Sequence, residues 1–329
     1  MALRRLTVQG QEGNGPRALV GVPAPQRSQG RACSLAQVLE ICLDRVGLRL
    51  GYDAIMGLSG LAFRAPRPRD NDALAAEECA AVEALADALS PPLRLYQPTA
   101  SEALGLVTTA VDAGLPCAAL GWGSEKDSWA VICGYDHARE RLVGHCLLSY
   151  PRAEYESWPP DLAILVTMEG VPRPTGASAI GAALRRATEA WQGVVGPAWE
   201  SWIAQVRALP ERAAQSWAEE MDRPAAAQLA AAGLLTDARA AAEGFLRASA
   251  DYQEPLPAAW LMRAAEGYGR VVELLEAGAG VTPEALSKAG ERDAWADRLE
   301  AAARADQAAL SDLQRAWTAD FEPEVDDLP

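Results

Sequence analysis

The sequence lacks most of the residues on which common catalytic and metal sites depend. It contains only two histidines, and its six cysteines form no CxxC pair. A zinc site needs about four well-spaced ligands, and the sequence offers no such set. The motifs HExxH, GxSxG and GxxxxGK[ST] are also missing, which argues against a zinc protease, an α/β-hydrolase and a P-loop nucleotide site. We therefore predict no metal and no cofactor.

Long apolar runs and an excess of basic residues are missing as well. Apolar runs such as 162–168 are far shorter than the roughly 20 residues of a membrane span, and the N-terminus has no apolar core typical of a secretion signal. The net charge is −15, with the acidic excess concentrated in the second half. Phosphate binding depends on clustered Lys and Arg, so we expect no nucleic-acid or membrane partner. The composition favours a soluble, cytoplasmic protein.

The cysteine at position 33 stands apart from the other five. It precedes an amphipathic helix with apolar residues at Leu35, Val38, Leu39 and Cys42. At a helix N-terminus, unpaired N–H groups and the helix dipole favour a thiolate, which is the nucleophilic form. Cys33 is therefore a candidate nucleophile, and the alternative is an inert thiol that starts a core helix. The remaining cysteines fit buried apolar positions in a reducing compartment.

The periodicity changes from helical to strand-like along the first half of the chain. Thr99 and Glu102 have the spacing of a capping box that starts a helix ending near Gly114. Apolar stretches at 115–122, 129–135, 141–150 and 162–168 then predict a largely antiparallel sheet. Residues 57–63 (GLSGLAF) predict a turn and a strand. We therefore predict an α+β domain over 1–171.

The second half contains no convincing strand. The stretch PRPTG (172–176) has the composition of a linker, and helical patterns then continue to about residue 317. Prolines and glycines, among them Pro224 and Gly233, predict breaks between six to eight helices. We predict an α-helical bundle domain over 176–318 and an acidic, disordered tail over 319–329.

Together these features resemble the papain-like cysteine peptidase fold, and within it bacterial double-glycine-type peptidases and the N-terminal domain of the butirosin-biosynthesis acyltransferase. The likeness is carried by ACSLAQVLEICLDRVGLRLGYDAIMGLSGLAF, TASEALGLVTTAVDAGLPCAALG and WAVICGYDHARERLVG. It covers roughly residues 20 to 170 and implies a papain-like helix packed against an antiparallel sheet, followed here by the helical bundle. It would also make the chain a bacterial peptidase homologue.

The resemblance also implies a glutamine oxyanion donor before the nucleophile and a histidine base before the GYD-type strand. The glutamines here are Gln26 and Gln29, and either could donate beside the Cys33 backbone N–H. The position of the family histidine is occupied by Ser128, which cannot act as the base. His145 on the neighbouring strand is a candidate displaced base, and the alternative is a structural histidine.

Two tryptophans flank the polar loop that the resemblance places beside Cys33. Trp122, Trp129 and the loop carboxylate Asp127 could line a ligand site, although two buried tryptophans covering the end of the sheet would give the same pattern. The missing base favours a catalytically degenerate homologue that binds a small molecule, peptide or protein partner. The alternative is a thiol-dependent hydrolase or acyltransferase that uses Cys33. A homodimer through the helical domain is a third hypothesis.

Overall fold

The computed structural model describes residues 8–9, 16–26, 31–65, 71–89, 93–124, 126–147, 153–159, 164–168, 177–190, 194–209 and 218–321. The chain divides into two compact units. The first comprises Met1–Ile55 and Ala75–Thr175, and the second comprises Met56–Leu74 and Gly176–Pro329. The second unit therefore includes a segment from early in the chain, which the division predicted from the sequence did not anticipate.

The described residues of the first unit form an antiparallel sheet of eight strands. The strands are β1 (Val8–Gln9), β2 (Arg17–Leu19), β3 (Leu93–Tyr96), β4 (Cys117–Leu120), β5 (Trp129–Asp136), β6 (Arg141–His145), β7 (Glu154–Glu156) and β8 (Ile164–Met168). Six of them follow the order β1-β2-β5-β4-β8-β3, while β6 pairs with β5 and with β7. The predicted mixed fold, an antiparallel sheet with helices followed by a helical region, is confirmed.

Strand β5 is the centre of this sheet, because it pairs with β2, β4 and β6. All eight of its residues are buried. Gly134 allows the close approach of β2, since a Cβ at this position would overlap the backbone carbonyl of Arg17. The register with β6 shifts between Ile132 and Gly134, as at a β-bulge.

Four helices accompany the sheet along the chain: α1 (Ser34–Arg45), α2 (Tyr52–Ser59), α3 (Asn71–Ala88) and α4 (Ala100–Asp112). Helix α1 packs against β5 and β4 and is buried from Ser34 through Leu39. Helix α4 starts with the predicted capping box, in which the Thr99 hydroxyl accepts the Glu102 N–H and the Glu102 carboxylate accepts the Thr99 N–H.

The predicted strand at 57–63 is wrong. Helix α2 continues through Ser59, and Leu61–Phe63 form a 3-10 turn whose three residues are buried in the second unit. The ring of Phe63 packs edge-to-face on Phe245 and Tyr268. A short apolar run has the same pattern in a buried turn as in a strand, so periodicity alone did not distinguish the two.

The later part of the second unit consists of helices joined by turns, with no strand among the residues that the structure describes. Its helices are α5 (Ala177–Ala190), α6 (Gly196–Arg207), α7 (Ala218–Ala250), α8 (Pro255–Glu276), α9 (Pro283–Leu286) and α10 (Ala289–Phe321). The predicted breaks at Pro224 and Gly233 are wrong, because α7 runs through both positions. Buried Ala231, Ala232 and Leu235 hold this part of α7 in an apolar cluster, and their packing outweighs the weak helix propensity of glycine.

A buried ion pair crosses the middle of the second unit. Arg239 on α7 and Asp306 on α10 are 1% and 0% exposed, and two guanidinium nitrogens lie 2.8 and 2.9 Å from the two carboxylate oxygens. The guanidinium also donates to the backbone carbonyls of Ala62 and Arg64 at 2.8 and 3.1 Å. The Trp199 indole N–H donates to Asp306 at 2.7 Å. The pair therefore joins the early segment to three helices.

None of the helices in the described residues combines the length and the apolar character that crossing a bilayer requires.

We expect Arg239→Met to lower the free energy of unfolding by about 3 to 5 kcal/mol, because it leaves the Asp306 carboxylate buried without its partner. Urea denaturation of the full chain, followed by circular dichroism, measures the change. Arg270→Met is the matched control, since Arg270 pairs with Glu273 at the surface and its loss should cost less than about 1 kcal/mol. Equal losses in the two variants would contradict this role for Arg239.

Candidate functional site

Cys33 lies at the N-cap of α1, with extended backbone angles and no side-chain capping bond. Its side chain is only 3% exposed. The Cys33 carbonyl accepts the N–H of Gln37 at 3.3 Å and so begins the hydrogen-bond pattern of the helix. The predicted position of the cysteine at the start of a helix is confirmed, and in this structure the cysteine is buried.

The backbone N–H of Cys33 donates to the hydroxyl of Tyr52 at 2.9 Å. Tyr52 is buried at the start of α2. A nucleophile's own amide is a common oxyanion donor in cysteine and serine hydrolases, and here a tyrosine oxygen already occupies it. The sequence analysis did not identify Tyr52, because nothing in its local pattern distinguishes it from an ordinary core tyrosine.

An ion pair holds Tyr52 in place. Arg31 and Glu40 form a two-pronged interaction, with N to O distances of 2.9 and 3.0 Å. The Arg31 guanidinium carbon lies 5.0 Å from the centre of the Tyr52 ring, and Glu40 accepts the Tyr52 N–H at 3.2 Å. Because both ends of this arrangement are fixed, the hydroxyl is preorganised to accept the Cys33 amide.

The start of β5 lies against the first turn of α1. The Ser34 hydroxyl accepts the backbone N–H of Trp129 at 3.1 Å. Ser128, the residue before Trp129, is half-buried at this junction. Residue 128, the predicted histidine position, and Cys33 are therefore neighbours in the chain of two residues that are joined by a hydrogen bond, Trp129 and Ser34.

His145 is the last residue of β6 and lies opposite Val131 of β5. Its side chain is half-buried. Val131 is two residues beyond Trp129, so His145 belongs to the same end of β5 as the Cys33 site. Its role as a base stays a prediction. The second histidine, His137, lies in the turn after β5 with its Nε2 3.3 Å from the Thr108 hydroxyl.

Of the two candidate oxyanion glutamines, the structure describes only Gln26, and Gln29 lies outside the described residues. The Gln26 side chain is exposed, and its backbone N–H donates to the side-chain oxygen of Gln37 at 3.0 Å. The Gln37 amide in turn donates to the Arg31 carbonyl at 2.7 Å. Gln37 therefore links residues 26 and 31, which precede α1, a role that the sequence analysis missed.

Trp122 and Trp129 are fully buried, and both indole N–H groups have partners within the unit. Trp122 donates to the Glu156 carbonyl at 3.3 Å, and Trp129 donates to the carboxylate of Glu78 at 2.6 Å. Glu78 is a buried acid on α3 that the sequence analysis did not select. Asp127 is exposed in the loop between the two tryptophans. The predicted ligand-binding role of Trp122, Asp127 and Trp129 stays a prediction.

The remaining thiols differ in accessibility. Burial raises the pKa of Cys117 to about 12 and that of Cys133 to about 11, and it raises the pKa of Cys42 well above its usual value. Cys79 on α3 is partly exposed. Its pKa is raised mainly by partial burial and, to a smaller extent, by the negative charge of the neighbouring Glu78. Within the described ranges, no group of three or more His, Cys, Asp and Glu side chains could hold a metal ion.

We expect Tyr52→Phe to destabilise the chain by about 1 to 3 kcal/mol, because it leaves the buried Cys33 amide without its acceptor while keeping the ring. Thermal and urea unfolding measure the loss. Tyr252→Phe is the control. Tyr252 is 74% exposed, so loss of its hydroxyl leaves no buried donor without an acceptor and should not change the stability. A Tyr52→Phe variant as stable as the parent would show that the hydroxyl is not needed.

No protein-family model matches this sequence, and no curated protein matches it. The geometry of the residues around Cys33 is therefore the basis for the function proposed below.

Proposed function

We propose that this chain is a catalytically degenerate homologue of the papain-like cysteine peptidases, and that it binds a small molecule, peptide or protein without turning it over. The observation that carries the proposal is the state of Cys33. Its sulfur is buried, and its amide donates to Tyr52. A cysteine nucleophile needs the opposite conditions, an accessible thiolate and a free donor for the developing oxyanion.

The surroundings of Cys33 support the same conclusion. Ser128 stands where the resembled family has its general base, and a serine hydroxyl does not accept a proton from a thiol at neutral pH. The loop before α1 is held through Gln37 and the Arg31–Glu40 pair, and the exposed Gln26 side chain has no part in that network. These interactions stabilise the fold in the absence of any substrate.

The buried polar contacts explain why the scaffold would persist after chemistry is lost. Ser34, Glu78 and Tyr52 each accept a buried N–H, from Trp129 or from Cys33. Removing any of these acceptors would leave an unsatisfied donor in the core. The first turn of α1 is thus required for folding whether or not the thiol reacts.

The alternative is a thiol-dependent hydrolase or acyltransferase that uses Cys33 as nucleophile. Two observations favour it: the cysteine begins a helix, and His145 lies on the strand next to β5. In this mechanism the Cys33 sulfur attacks an acyl carbonyl while His145 takes the thiol proton. His145 returns the proton to the leaving group as the bond to that group breaks, and water or another acceptor then takes the acyl group from Cys33. It requires Cys33 to become accessible and more reactive than the other thiols.

Alkylation of the native chain with iodoacetamide at neutral pH, with peptide mapping by mass spectrometry, separates the two functions. For the degenerate protein we expect Cys79 to be labelled first, because it is the one cysteine of the six that is partly exposed. Cys33 should react at a rate close to those of Cys42, Cys117 and Cys133, and only after unfolding should all become labelled. Labelling of Cys33 ahead of Cys79 would overturn the proposal.

A turnover assay provides the second readout. The parent should hydrolyse p-nitrophenyl acetate, a generic acyl donor, no faster than Cys33→Ala does, because a degenerate protein forms no acyl-enzyme at Cys33. Cys79→Ala is the matched control for the loss of a thiol. A rate that falls in Cys33→Ala and not in Cys79→Ala would support the hydrolase or acyltransferase.

A further inference from the structure

The start of α8 presents an apolar surface that no described part of the chain covers. Tyr252 is 74% exposed and Leu256 is 60% exposed, and Trp260, one helical turn farther along, is half-buried. We call these three residues the α8 stripe. Single exposed apolar side chains are ordinary at a protein surface, but several large ones close together are typical of a surface that binds another protein.

A positive charge lies at the Trp260 end of the α8 stripe. The guanidinium carbons of Arg263 and Arg315 lie 4.7 and 5.0 Å from the centre of the Trp260 ring. Both arginines pair with the single carboxylate of Asp312, at 3.6 and 2.9 Å. Two guanidinium groups and one carboxylate leave a net charge of +1 at this end. Both arginine side chains remain more than half exposed.

A negative charge lies at the Tyr252 end. Asp251 and Glu254 are both exposed in the turn between α7 and α8. Neither forms an ion pair with another residue in the described part of the chain. Along α8 the order is therefore an acid at the N-cap, Glu254, then the apolar Leu256 and Trp260, and then Arg263.

We propose that the α8 stripe is the contact surface of a homodimer, in which two copies of α8 pack antiparallel about a twofold axis between Leu256 and Trp260. In such an interface every contact occurs twice, so a surface must be complementary to itself. With the axis there, antiparallel packing brings Glu254 of each copy level with Arg263 of the other, and Leu256 of each copy level with Trp260 of the other. A surface with an acid at one end and an arginine at the other is complementary to itself when the second copy is turned around.

Other partners fit less of what the surface shows. An acidic peptide would pair with Arg263 and Arg315, but it would be repelled by Asp251 and Glu254 at the other end of the stripe. Because the apolar core of the contact is short, the interface belongs to the small, weak class. We therefore expect a dimer that dissociates on dilution. This inference does not depend on the function proposed for the Cys33 site.

Sedimentation velocity of the full chain across a concentration series tests the dimer. The parent should shift from monomer to dimer mass, and Leu256→Glu should raise the dissociation constant by about tenfold or more, because it buries two carboxylates in the apolar part of the contact. Val20→Glu is the matched control, since Val20 is a 44% exposed valine in the first unit and its replacement should change nothing. Circular dichroism verifies that each variant is folded.

A charge-reversal cycle tests the pairing itself. Glu254→Arg and Arg263→Glu should each weaken the dimer, because each brings like charges together, and the double variant should be tighter than either single one. A parent that is monomeric up to about 0.5 mM would overturn the proposal, since even a weak interface is populated there. A double variant that binds itself no more tightly than the single variants would also overturn it. So would a dimer that appears only after deletion of 322–329, because the acidic tail would then be what covers the α8 stripe in the full chain.

Discussion

A backbone N–H at the first turn of a buried helix needs an acceptor, and in the first unit the Tyr52 hydroxyl is that acceptor for Cys33. Most of the surrounding geometry follows from this bond. Arg31 and Glu40 fix the tyrosine from two sides, and Gln37 holds the loop that leads into α1. The amide that would stabilise an oxyanion in a hydrolase is thus part of the folded framework.

The second unit satisfies its buried polar groups in a similar way. Asp306 accepts from Arg239 and from Trp199, and two further N–H groups of Arg239 donate to backbone carbonyls. Buried charges are tolerated when their hydrogen bonds are complete, as they are for this carboxylate. In both units one polar arrangement sets the relative positions of elements that apolar packing alone would leave less specified.

The sequence predicted the features that depend on local chemistry. The capping box at Thr99 and Glu102, the helix that begins after Cys33 and the antiparallel strands around 117–120 and 129–136 all follow from short patterns. It did not predict the helix through Gly233, the 3-10 turn that replaces a strand at Leu61–Phe63 or the role of Tyr52. Each of these depends on partners distant in sequence, and local propensity carries no information about them.

The candidate site shows the same division. The neighbourhood of Cys33 and Ser128 could be inferred from the order of helix and strand, because α1 had to pack on the sheet. The bond from the Cys33 amide to Tyr52 and that from Trp129 to Glu78 could not, since tyrosine and glutamate occur at many buried and exposed positions without such roles. Only the tertiary fold shows which donor each oxygen meets.

The separation between Ala62 and Arg239 bears on how this chain folds during synthesis. Their hydrogen bond spans 177 positions. Because translation proceeds at about 5 to 20 residues per second, the carbonyl of Ala62 leaves the ribosome on the order of ten seconds before its guanidinium partner. During that interval Phe63 has neither of its native ring partners, Phe245 and Tyr268, so this segment reaches its buried position only after most of the chain has been made.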